Sequence, residues 1–62
     1  MMFELWYRDV NLNGQTFVSE FEANSREEAF ERWVNFRDFS EIIGRPVLLI
    51  ELKEIVTKEN NN

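Results

Sequence analysis

The 62-residue chain is predicted to fold as an α+β domain of order β-β-α-β, and three observations carry that expectation. Residues 2–10 and 16–23 alternate apolar and polar side chains around Asn13-Gly14. The stretch "NSREEAFERWVNFRDF" repeats its apolar residues at a helical period behind a capping sequence, and "RPVLLIELKEIV" leaves a proline as a β-branched and aliphatic run.

Asn13-Gly14 between two alternating runs signals a hairpin, because both residues tolerate the positive φ that a tight reversal needs. The hairpin closes in one of two ways. With Asn13 and Gly14 central to a two-residue turn, Leu12 stands opposite Gln15 and Trp6 opposite Phe21, which mixes apolar and acidic residues on both faces. With a three-residue loop, Leu12-Asn13-Gly14, and Gly14 left-handed in a bulge, Phe3 pairs with Ala23, Leu5 with Phe21, Tyr7 with Ser19 and Asp9 with Phe17. Phe3, Leu5, Tyr7, Phe17, Phe21 and Ala23 then share one face. A slip of one residue reverses every side chain, so burial favours the bulged loop, which turns Trp6 outward.

Ser25 followed three residues later by Glu28 fits a capping box, so the helix is predicted to begin at Arg26. Ala29, Trp33 and Phe36 form its buried stripe with Phe30 on the flank, and Glu28 and Arg32 stand in the favourable order for an i, i+4 ion pair. Its end is open: the apolar spacing through Phe39, Ile42 and Ile43 leads to a stop at Gly44 and Pro46, or the helix breaks near Asp38. Residues 1–56 make one domain, and the polar tail 57–62, "TKENNN", is predicted to be disordered.

The helix returns the chain to the end where strand 2 began, which places strand 3 beside strand 1. The result is a three-stranded antiparallel sheet of order 2-1-3 with the helix packed on one face. The opposite face has no cover. Its expected occupants are Glu4, Trp6, Arg8 and Val10 from strand 1 and Thr16, Val18, Glu20 and Glu22 from strand 2. Strand 3 is expected to send Leu48, Ile50 and Leu52 inward and Val47, Leu49, Glu51 and Lys53 outward. In this register Glu4 opposes Glu22 and Trp6 opposes Glu20, so carboxylates crowd an aromatic where like charges cost stability. Trp6, Glu4, Glu20, Glu22, Val18, Leu49 and Glu51 are therefore the candidate partner-binding residues.

Composition narrows the chemistry. Twelve carboxylates against seven cations give a net charge of −5, which opposes direct binding of nucleic acid. With neither His nor Cys, the common nucleophile–base pairs and the imidazole and thiolate metal sites are excluded. The glutamates lie on a flat sheet or a wet helix face, without the dry pocket that acid–base catalysis needs, so no catalytic residue, metal or cofactor is expected. The longest aliphatic run, Val47 to Ile50, is far too short to cross a bilayer, and a cytoplasmic protein is expected.

A short acidic chain with a hairpin closed by "NLNG", one helix and a last strand of the "IELKEIV" kind resembles small phage-encoded inhibitor proteins, among them the dimeric inhibitors of uracil-DNA glycosylase and several anti-CRISPR proteins. The resemblance covers residues 3–56 in organisation. It implies an acidic surface that imitates DNA phosphates toward a nucleic-acid-acting enzyme, with an apolar anchor entering a pocket. The expectation is a non-enzymatic protein-binding module for a basic-surfaced protein. A homodimer is expected as well, and the alternatives are a self-associating structural or adaptor protein that dimerises through the open sheet face or an edge and, ranked below it, a single-stranded nucleic-acid binder.

Overall fold

In the computed structural model, which describes residues 1–56, β1 (Met2–Asp9) is the centre of a three-stranded antiparallel sheet. β2 (Thr16–Glu22) and β3 (Val47–Ile55) flank it, and α1 (Arg26–Ile42) packs on one face. The α+β fold, the order of elements and the strand order are those the sequence predicts. The tail expected to be disordered, 57–62, lies outside the described residues.

The core is the helix-facing side of β1 closed by the helix stripe. Phe3, Leu5, Ala23, Ala29, Trp33, Val47 and Leu52 are buried, with Tyr7, Phe21, Val34 and Phe36 packed against them. Aromatic rings supply most of this volume. Phe3 stacks on Phe21 at 5.9 Å, Tyr7 stacks on Phe17 at 5.6 Å, and Phe36 meets Tyr7 and Trp33 edge-on at 5.0 and 6.1 Å. Such pairs add about 0.5–1.5 kcal/mol each beyond area burial, a large share of the stability of so short a chain.

The hairpin loop is neither of the two expected. A turn does form on Asn13 and Gly14, with φ of 55° and 82° and the Gln15 N–H donating to the Leu12 carbonyl at 3.1 Å. The strands, however, pair Arg8 with Thr16, Tyr7 with Phe17, Leu5 with Ser19 and Phe3 with Phe21. Asp9, Val10 and Asn11 therefore intervene on the β1 side alone. Asp9 is the cause. Its buried carboxylate accepts the Asn11 N–H at 2.9 Å and an Arg45 N–H at 3.1 Å, and its carbonyl accepts the Leu12 N–H at 3.1 Å. The Val10 N–H meanwhile donates to the Pro46 carbonyl at 3.0 Å, so the chain stays with β3 one residue longer than with β2. The register differs by two residues from the bulged one. An even shift preserves the faces, and Trp6 points away from the helix as expected.

Ser25 caps α1 by accepting the Glu28 N–H at 3.1 Å. The Glu28 carboxylate reaches back to the N–H of Asn24 rather than that of Ser25, at 2.5 Å. That engagement draws Glu28 away from Arg32, whose guanidinium lies 5.4 Å above the Phe21 ring instead of forming the expected i, i+4 pair. The helix runs without a break at Asp38 and stops at Gly44. With φ of 80° at Gly44, the Gly44 N–H reaches the Glu41 carbonyl at 3.1 Å and the Arg45 N–H reaches that of Ser40 at 2.8 Å, a Schellman ending.

β3 corrects a second expectation. Glu51 opposes Trp6 but Leu49 opposes Tyr7, so Ile50 sits in a bulge that shifts the N-terminal half of the strand by one residue. Val47 and Leu49 consequently lie on the helix side and Leu48 on the open side, the reverse of the predicted assignment. Leu52, opposite Leu5, is inward as expected.

Candidate functional site

The open face is a grid of cross-strand rows. Glu22, Met2 and Ile55 form one row, Glu20, Glu4 and Lys53 the next, then Val18, Trp6 and Glu51, and last Thr16, Arg8 and Leu48. Of the candidate residues, Trp6, Glu4, Glu20, Val18 and Glu51 come together in adjacent rows, with Glu22 at the end of the face. Leu49 does not join them, because the bulge turns it toward the helix side opposite Tyr7. Two expected pairs also change: Glu4 opposes Glu20 rather than Glu22, and Trp6 opposes Val18 rather than Glu20.

Trp6 is half-buried and held on three sides. Its Nε1–H donates to Glu4 Oε1 at 3.0 Å, the Lys53 ammonium lies 5.7 Å from the ring centroid, and Val18 stands across the strand pair. The indole is thus an ordered platform in the sheet rather than a protruding anchor. Lys53 was expected on this face, but its contact with the Trp6 ring and its place opposite Glu4 were not read from the sequence.

Glu4 and Glu20 face each other directly. The Ala23 N–H donates to the Met1 carbonyl at 2.9 Å, which fixes the alternation of the ladder: odd residues of β2 bond to β1, and even residues fall in the wider rings where side chains approach most closely. Glu4 and Glu20 belong to the even set, so their repulsion is unshielded by distance. Glu4 is partly compensated by the Trp6 N–H, whereas Glu20 has neither ion pair nor hydrogen bond among the described residues.

On the other side of the sheet, α1 lies closest to β3 and leaves the inner side of β2 half-open. A hollow of about 210 Å³ there is lined by Leu5, Tyr7, Ser19, Phe21, Arg32 and Phe36. A second, about 270 Å³, continues from Tyr7 and Phe36 past Phe17, Phe39 and Ile43. Neither was expected. Ser19, a small polar residue between Phe17 and Phe21 on the inner side of the strand, was the available signal.

No protein-family model, curated protein or solved structure matches the chain. Among the described residues no three His, Cys, Asp or Glu side chains cluster in a way that would hold a metal ion, and no helix is long and apolar enough to cross a membrane.

Proposed function

We propose that this chain is a non-enzymatic binding module whose open sheet face engages a protein with a basic surface. The observation that carries this reading is the Glu4–Glu20 pair on an uncovered face, joined by Glu22 and Glu51 around the fixed Trp6 platform. Directly opposed carboxylates destabilise a strand pair and contribute nothing to the core. A basic partner relieves that repulsion, so the cost in the free protein becomes affinity in the complex and steers the encounter. The finer reading is inhibition of an enzyme that acts on nucleic acid, its cationic groove occupied by carboxylates in place of phosphates.

The test is affinity capture from the native host with the wild type and the double variant Glu20→Gln/Glu22→Gln. The expected result is a basic-surfaced protein that the wild type retains at about 0.05 M salt and releases at about 0.5 M, as screening of exposed charges demands. The double variant should fail to retain it. Retention that is indifferent both to salt and to the two substitutions overturns the proposal.

A further inference from the structure

The two edges of the sheet are guarded unequally, and resting on the proposed basic partner, we infer how that partner attaches. We propose that β2 is a strand-addition edge that accepts an extended segment alternating apolar and basic residues.

At β3 the edge is interrupted. The bulge at Ile50 breaks its periodicity, Arg26 Nη2 donates to the Leu52 carbonyl at 2.8 Å, and Lys53 and Glu54 follow. Bulges, capping side chains and charges of this kind prevent pairing. β2 has no bulge and no proline. Because its odd residues bond to β1, Thr16, Val18, Glu20 and Glu22 all turn their N–H and C=O groups outward, an unbroken template across the whole strand.

Both faces beside this edge specify what fits. A segment paired with β2 directs alternate side chains toward the helix side, where the hollows walled by Phe17, Phe21, Phe36 and Phe39 take apolar groups. Its remaining side chains emerge on the open side next to Val18, Glu20 and Glu22, where lysine or arginine meets carboxylate. Main-chain bonds then give affinity and the alternating pockets give selectivity, as in other strand additions. A second copy of this chain is disfavoured on the same ground. Two antiparallel β2 strands bring Glu20 and Glu22 of both copies onto one face of two molecules that each carry −5.

The experiment titrates the isotope-labelled protein with a soluble peptide of alternating lysine and valine, long enough to span β2. Amide exchange at Thr16, Val18, Glu20 and Glu22 should slow on binding, while amides already bonded to β1 change little. Val18→Pro removes an outward N–H and leaves the β1 ladder whole, and it should weaken binding by about threefold to tenfold, the loss expected from one missing main-chain hydrogen bond. The same peptide N-methylated on its pairing side should fail on the wild type, a control independent of whether the proline variant folds. Equal binding of a scrambled peptide or of the N-methylated one overturns edge pairing, even if Glu20→Gln/Glu22→Gln still abolishes binding and the acidic-face proposal survives. Equal binding of a glutamate–valine peptide overturns the basic partner in both proposals. A free protein that is dimeric and becomes monomeric in Val18→Pro overturns the choice of occupant in favour of a second copy.

Discussion

The two faces of β1 are made by one strand and obey opposite rules. Phe3 and Leu5 are buried against the helix, and the residues between and beyond them, Glu4, Trp6 and Arg8, stay at the water side with polar partners. On the helix side the apolar residues of the core cluster lower the free energy by excluding water. On the open side the neighbours are mixed: Glu4 faces Glu20 on one flank and Lys53 on the other, and the indole is pinned by a carboxylate and an ammonium with Val18 across the strand pair. One face is arranged for stability and the other tolerates its loss, which is the pattern expected when a surface is kept for a partner.

The two tryptophans test that contrast most severely. Trp33→Ala removes a ring buried among Phe36 and the core cluster and should cost about 3–5 kcal/mol, enough to leave so small a domain largely unfolded in a thermal melt. Trp6→Ala removes a half-buried ring and one hydrogen bond and should cost less, about 1–2 kcal/mol, and keep a dispersed amide spectrum. If Trp6→Ala unfolds the protein as Trp33→Ala does, the two faces are not different in kind.

The Glu4–Glu20 opposition depends on register, and the loop that accompanies that register is built on Asp9. Asp9→Ala abolishes the bonds to the Asn11 N–H and to Arg45 and should cost about 1.5–3 kcal/mol by denaturant unfolding, the range for hydrogen bonds to a charged group. Arg45→Ala takes the counter-ion from a buried carboxylate but leaves its bond to the Asn11 N–H, and it should cost less, about 1–2 kcal/mol. Equal losses in the two variants would mean that the ion pair, not the loop geometry, carries the effect.

Asp9 also shows where sequence reading stops. The alternation in residues 2–10 and 16–23 sets which residues share a face, and that much was legible because burial permits only even shifts of register. The length of the loop was not, since it follows from a buried carboxylate that finds its partners at Asn11 and, 36 residues on, at Arg45. The Ser25 cap and the stop at Gly44 were readable as local chemistry, although the choice between a continuous helix and a break at Asp38 needed the packing. β3 was misread in its first half because its run Val47–Ile50 is uniformly apolar. Such a run carries no alternation to reveal a bulge, and so the expected face of Leu49 is the wrong one; the opening beside β2 depends on how α1 sits over the sheet, which local patterning does not encode.

The smallest expected effect is the most discriminating, because its sign is opposite to that of the others. Glu20→Gln keeps the shape and hydrogen-bonding capacity of the side chain while removing one of two directly opposed charges in a close-approach pair. Among the described residues Glu20 has no ion pair to give up, so the protein should gain a few tenths to about 1 kcal/mol. Glu4→Gln is not equivalent, since it also weakens the charge-assisted bond from Trp6 Nε1, and its gain should be smaller. Raising the salt concentration should shrink the Glu20→Gln gain, because the repulsion it relieves is exposed to solvent ions. A Glu20→Gln variant that melts below the wild type would show that this carboxylate supports the free fold, and the open face would then lose the mismatch on which the proposed partner rests.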